Sequence, residues 1–211
     1  MSVYSIISSH FADTRSATKV WSSVNEFTKG LSPGGLILDA GCGSGKNMNL
    51  RHDCEYIGID NCQEFIDICK QKGYNAKYGN ITSIPFHDSY FTDTMCIAVI
   101  HHIRTRELRV NAIKELVRVT KPGGTIVIQV WAKSAALNPK RESRFELINE
   151  QSDYNVKWLN KTDRKEYIRF YHMYESLNEL KDEVISASSI KSKIHGYEVL
   201  DNYVISFIGN D

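Results

Sequence analysis

A chain of 211 residues, 42% of them hydrophobic, can build one full core without disulfides or metals, so a single domain over residues 1–211 is expected. Five cysteines (Cys42, Cys54, Cys62, Cys69, Cys96) with no C-x-x-C pair suggest neither a disulfide framework nor a zinc ribbon, and no metal site is expected. The start MSVYSIISSHFADTR lacks the basic leader and apolar run of a signal peptide, and no later stretch is apolar for long enough to span a bilayer; a cytoplasmic or nuclear protein is therefore expected.

In chain order, helical spacing of apolar residues over Ala17–Phe27 predicts a first helix, ended by the Ser32-Pro33-Gly34-Gly35 turn. Leu36–Asp39 and Tyr56–Asp60 are short apolar runs ending on an acid, as buried parallel strands do. Helical segments are predicted at about Ser44–Arg51 and Gln63–Lys72, the second ended by Gly73. Asp93–Ile100 predicts a strand, Thr105–Thr120 a helix, and Thr125–Trp131 a strand after the Lys121-Pro122-Gly123-Gly124 break. Residues 132–170 are polar, basic and weakly periodic, which predicts a functional or mobile insertion on the substrate side. Ser176–Ala187 predicts a helix, and Tyr197–Leu200 with Tyr203–Ile208 a closing hairpin turning at Asp201-Asn202. The sum is an α/β fold, a mostly parallel sheet with helices on both faces and a C-terminal antiparallel hairpin.

The net charge of +1 is unevenly spread: His102–Arg169 holds 15 Lys/Arg against 8 Asp/Glu, and the remainder 11 against 17. Either one face is cationic or these residues only solvate helices.

Asp39-Ala40-Gly41-Cys42-Gly43-Ser44-Gly45 places glycines between a strand and the next segment, where backbone can approach a ligand closely. Asp60 is placed to accept ribose hydroxyls, so a nucleoside cofactor is expected. A pyrophosphate would be repelled by Asp39, whereas the sulfonium and amino group of S-adenosylmethionine would be attracted; this spacing disfavours a nicotinamide dehydrogenase. Gly41, Gly43 and Gly45 would frame the methionine part. Asn80, in the Gly79-Asn80-Ile81 turn, either meets the adenine edge or simply forms the turn; Ile81 and Ala98 join it as cofactor-binding candidates.

The whole chain resembles the class I, Rossmann-like methyltransferases, through D-A-G-C-G-S-G, Asp60 and K-P-G-G. More narrowly it resembles the eukaryotic tRNA methyltransferases that esterify 5-carboxymethyluridine at the wobble position, including the domain fused to an AlkB-like oxygenase in animals. The residues are His10-Phe11-Ala12-Asp13-Thr14-Arg15, Ile97–His102 followed by Thr105-Arg106-Glu107-Leu108-Arg109-Val110, Phe170–Tyr174 and Gly196-Tyr197-Glu198. The resemblance implies methyl transfer from S-adenosylmethionine to a carboxylate in the tRNA anticodon loop. It also implies a small zinc-binding activator subunit paired with the sheet edge, in a heterodimer.

A carboxylate nucleophile is already ionised at neutral pH and needs orientation more than a base. His102, Arg15, His101 and Arg109 are the catalytic candidates, with Arg106 near them; an Arg offers a bidentate fork and a neutral His one donated bond. Each has a bland alternative as a packed or exposed helix residue, and Trp131 either stacks on a base or fills the sheet end. No N-P-P-Y-like stretch or Pro-Cys pair follows the fourth strand, which favours oxygen as acceptor. The rivals are a small-molecule O- or N-methyltransferase, which gives the basic segment no task, and a silent scaffold, which would not bind the cofactor.

Overall fold

The computed structural model describes residues 2–16, 19–188 and 194–209, the side chains of 15 and 16 excepted. Helices α1 (Val3–Ser16) and α2 (Ser22–Gly30) precede strands β1 (Leu36–Ala40) and β2 (Glu55–Asp60). Helix α3 (Gln63–Gln71), β3 (Ala76–Tyr78), β4 (Asp93–Ile97), a 3-10 turn (Ile100–His102), α4 (Arg106–Val119) and β5 (Thr125–Trp131) follow. Strands β6 (Phe145–Leu147), β7 (Asp153–Asn160) and β8 (Lys165–His172) come next, then α5 (Leu177–Ser188), β9 (His195–Val199) and β10 (Asn202–Ile208).

The main sheet has seven strands in the order β3-β2-β1-β4-β5-β10-β9. The first five run parallel; β10 is antiparallel to both β5 and β9, with Asn202 opposite Trp131. The closing hairpin is therefore inserted with its last strand innermost. Its turn is Leu200-Asp201, both at positive φ, one residue earlier than the sequence predicts.

Alternation along the strands assigns two cores. Leu38, Ala40, Ile126 and Ile128 pack with Ile113, Leu116, Leu180 and Val184 of α4 and α5 on one face. Ile37, Met95, Val127 and Val204 pack with Val24 and Phe27 of α2 and Ile66 and Cys69 of α3 on the other. Thr105 caps α4 by accepting from Leu108 N at 3.3 Å.

Four local expectations need correction. Residues 44–51 form turns instead of a helix, because Gly43, Gly45 and Asn49 hold positive φ. The strand predicted over Asp93–Ile100 ends at Ile97, where Ala98 enters the left-handed region at φ 60°. The helix predicted at Ala17–Phe27 begins at Ser22, residues 17–18 lying outside the described ones, and α1 precedes it, so the His10–Arg15 motif lies within a helix. Isolated, α1 would be marginal; its Phe11 packs on Phe65 of α3 and Trp158 of β7, so tertiary contact supports it.

Finally, the insertion is an ordered antiparallel sheet, β6-β7-β8. Strands β7 and β8 pair over eight residues, from Asp153↔His172 to Asn160↔Lys165. Tyr154, Val156, Arg169 and Tyr171 share its buried face, while Lys157 and Ile168 lie exposed on the other. Among the described residues no helix is long and apolar enough to cross a membrane.

Candidate functional site

A cavity of about 400 Å³ opens at the carboxyl ends of β1, β2 and β4, where ligands bind in open α/β sheets. Its floor is the loop leaving β1. Gly41 and Cys42 donate to the Ile59 carbonyl at 2.8 and 2.9 Å, which ties this loop to β2. Gly41 has φ +81°, and a Cβ there would lie 2.3 Å from a Val99 methyl; no other residue fits.

Asp60 ends β2 with each carboxylate oxygen already positioned. Oδ2 accepts from Gly43 N and Oδ1 from Cys62 N, both at 2.9 Å. Two oxygens with further lone pairs can still receive hydroxyl donors. Burial raises its pKa, against these backbone bonds.

Asp39 is the unusual acid. It is 1% exposed, and its Oδ2 is buried with no hydrogen-bond partner. Burial first, and the charge of Asp60 second, push its pKa up to about 7. Asp39 is itself off the cavity wall, which the following Gly41, Cys42 and Gly43 form; a buried carboxylate short of partners is costly, and a cation bound against that loop would relieve it. Cationic S-adenosylmethionine fits that requirement, with Asp60 placed for a ribose.

Asn80 lines the cavity and also forms the turn, its Oδ1 accepting from Thr82 N and Oγ1 at 3.0 and 2.9 Å. The turn-forming reading is what these bonds show, and the carboxamide NH2 is the part of the side chain they leave for a ligand. Ile81 and Ala98 line the same space, together with Gly41 and Gly43. Gly45 is not on the wall; at φ +78°, with a Cβ site 2.6 Å from the Tyr74 ring, it lets α3 close on the loop.

The far end of the cavity is built by the turn after β4. His101 is fully buried; its Nδ1 accepts from Trp131 N at 3.2 Å, and its ring stacks on Tyr171 at 4.9 Å. His102 Nδ1 lies 3.0 Å from the Phe170 carbonyl, which can only accept, so this nitrogen carries a proton. Its Nε2 then accepts from the Tyr4 hydroxyl at 3.0 Å. His101, His102, Trp131 and Tyr171 all line the cavity.

The arginines are placed differently. Arg15 lies in the last turn of α1, with its side chain outside the described residues. Arg106 is exposed and donates to Ser186 Oγ at 3.0 Å. Arg109 does not line the cavity; it is 3% exposed and paired with Glu183 of α5 at 2.8 Å, inside the core.

Sequence reasoning missed Tyr4, Trp158 and Arg169. Trp158 Nε1 donates to His10 Nδ1 at 3.2 Å, so the His10-Phe11 motif fastens α1 to β7 and places Tyr4 over the cavity. Period-two alternation in Tyr154–Trp158 and Tyr167–Tyr171 was the available signal.

Comparison with known proteins agrees with this geometry. The methyltransferase domain family matches residues 38–128. The tRNA (carboxymethyluridine(34)-5-O)-methyltransferase of Arabidopsis thaliana is 42% identical over 130 residues, covering 62% of this chain and 32% of that protein. Its namesake in Mus musculus is 38% identical over 150 residues, 67% of this chain and 22% of that one. The chain thus spans a third or less of these relatives' length. A putative methyltransferase of Encephalitozoon cuniculi is 34% identical over 166 residues, 77% of this chain and 73% of that one. Among solved structures, the complex between the Haloferax volcanii Trm112 methyltransferase activator and a methyltransferase matches with a TM-score of 0.70 at 12% identity, over 99% of this chain and 98% of that one. A S-adenosylmethionine-dependent methyltransferase of Clostridium acetobutylicum matches with a TM-score of 0.69 at 10% identity, over the full length of both. On these matches, and on the sheet order and cofactor loop behind them, the chain belongs to the class I S-adenosylmethionine-dependent methyltransferases and is related to the tRNA carboxymethyluridine enzymes.

Proposed function

We propose that the chain esterifies the carboxylate of 5-carboxymethyluridine at the wobble position of tRNA. One observation carries this reading: among the described residues on the cavity wall Asp60 is the sole acid, and the end away from it is histidine and aromatic surface. An anionic acceptor meets no like charge there, whereas an ammonium acceptor would have no counter-charge.

When bound, S-adenosylmethionine supplies a methyl group whose bond to the sulfonium breaks with its electron pair left on sulfur, as a carboxylate oxygen forms the ester bond and no proton moves. The chain's part is placement. Asp39 faces the positive charge, Asp60 takes the ribose and Asn80 the adenine edge, with Gly41, Gly43, Gly45, Ile81 and Ala98 shaping the cradle. His102, and Arg15 from the end of α1, orient the acceptor, and Trp131, Phe170 and Tyr171 give flat surfaces for a splayed base.

The basic stretch 102–169 supplies phosphate contacts to the anticodon loop. The edge strand β3, with Tyr78 60% exposed, is the place for a small zinc-binding activator, as the likeness to the Trm112-bound structure suggests. A cytoplasmic heterodimer of one such domain and its activator is the expected working form.

The test is methylation of tRNA bearing unesterified carboxymethyluridine, by the chain alone and with activator, against a panel of small carboxylic acids. Ester formation on tRNA alone supports the proposal; turnover of the small acids with none on tRNA refutes it.

A further inference from the structure

Arg169, on the inner face of β8, is a buried cation without a counter-ion. It is 4% exposed, no carboxylate among the described residues lies within ion-pair distance, and its Nε has no hydrogen-bond partner. Its neighbours are neutral: NH1 donates to the Tyr171 hydroxyl at 2.7 Å, and the guanidinium lies 4.8 Å from the Trp158 ring and 5.1 Å from the Tyr171 ring. The Tyr4 hydroxyl is near enough to feel both the Arg169 charge and the Tyr171 phenol. Arg109 makes the contrast, equally buried but matched by Glu183.

Two hydrogen bonds lead from this group toward the cavity. Arg169 donates to Tyr171, and the Tyr4 oxygen, beside Tyr171, donates to His102 Nε2. Tyr4, Tyr171 and His102 line the cavity, and Arg169 stands behind them, off the wall, reaching it through the Tyr171 hydroxyl. Tyr4 belongs to α1, the element held to β7 and β8 by only a few side chains.

We propose that Arg169 is the ligand of the acceptor carboxylate, which displaces the Tyr4 hydroxyl and takes its place against Arg169 and Tyr171. The proposal rests on the esterification reading and names the group that makes the site select an anion. A desolvated guanidinium with an open Nε–H and one N–H turned to a phenol offers the two-pronged recognition a carboxylate uses. An unpaired buried charge lowers the stability of the free protein, and the acceptor anion restores that loss on binding.

The experiment uses two anticodon stem-loops identical except at the wobble uridine, one carrying 5-carboxymethyl and the other its neutral isostere 5-carbamoylmethyl. Equilibrium binding to the full chain, with activator if the chain needs it, is measured for wild type, Arg169→Met, Arg169→Lys and Tyr4→Phe. Wild type should prefer the carboxylate by roughly tenfold to a hundredfold, the range for hydrogen bonds to charged groups. Arg169→Met should bring the preference to about one with S-adenosylmethionine affinity and melting temperature undiminished, and Arg169→Lys should recover part of it. Tyr4→Phe should keep the preference or raise it. Arg169→Met retaining the wild-type preference, or losing cofactor binding along with it, would overturn the proposal; so would loss of the preference in Tyr4→Phe. Should the preference behave as expected while neither stem-loop is methylated, the anion site stands and the esterification reading falls.

Discussion

The Tyr4 hydroxyl and His102 Nε2 stand 3.0 Å apart although 98 positions separate them in the chain. With the Phe170 carbonyl 3.0 Å from the other ring nitrogen, His102 is held from both sides by elements outside its own turn. His102→Ala should therefore lower methyl transfer about a hundredfold, the range for a well-placed polar group, with little change in cofactor affinity. Single-turnover rates beside cofactor titrations measure both; a fall confined to cofactor binding would contradict the assignment to the acceptor end.

Asp39 should make the cofactor-free protein pH-sensitive. Its folded pKa, about 7, exceeds the ordinary value of 3.8, so the folded state holds the extra proton between these values. Stability from this group is present below the unfolded pKa and falls as pH rises toward 7, by a few kcal/mol at most. Asp39→Asn should flatten that slope and raise the melting temperature at pH 8 while weakening S-adenosylmethionine at least about tenfold, the worth of one charged contact. Melting curves across pH with and without cofactor decide; an unaltered slope in the variant counts against Asp39 as its source.

Gly41→Ala meets two obstacles, φ +81° and a Val99 methyl 2.3 Å from the new Cβ. Loss of cofactor binding and about 1–3 kcal/mol of stability are expected. Adding Val99→Ala should relieve the clash but not the backbone strain, so only partial recovery is expected. Full recovery of stability by the second change would show that φ carries no cost here.

Arg109 and Glu183 provide a control inside the core, 4% and 0% exposed in their side chains. Arg109→Ala strands a buried carboxylate and should cost about 3–5 kcal/mol, whereas the double change Arg109→Met with Glu183→Leu should cost less, about 1–3 kcal/mol, for the buried Tyr174 hydroxyl that loses its 2.8 Å bond to Glu183. Transfer rate per folded molecule should survive in the double variant. Its loss, with the fold intact, would return Arg109 to the catalytic group.

The parallel sheet was legible where a strand is a short apolar run bounded by glycine, proline or an acid, and β5 was read to the residue; β3, Ala76–Tyr78, buries one residue of three and carried no such signal. One end of the cavity was legible for a related reason: Gly41, Gly43 and Asp60, which line it, lie close together in the chain at two strand ends, so local pattern carries that wall. The far end was legible only in His101, His102 and Trp131. Tyr4 sits in a helix that depends on packing against Phe65 and Trp158, and Arg169 looks like one more basic residue in a basic stretch. Only the pairing of β7 with β8 turns it inward, and pairing between strands is not written in composition. Arg109 erred the other way, a cation in a recognisable motif whose partner, Glu183, is 74 positions downstream.

The β6-β7-β8 sheet lies between β5 and α5 in the chain and furnishes Phe170 and Tyr171 to the cavity wall, while the wall residues proposed for the donor, Gly41 to Ala98, lie upstream. On the proposed reading, the donor residues and this part of the acceptor wall are thus separate passages of sequence. A lineage could exchange the appendage after β5, and with it the kind of molecule methylated, without altering a residue that meets the donor. The same division offers an engineering route: grafting this sheet, with the matching α1, onto another methyltransferase of the same strand order would transplant the taste for an anion and leave the host's own cradle in place.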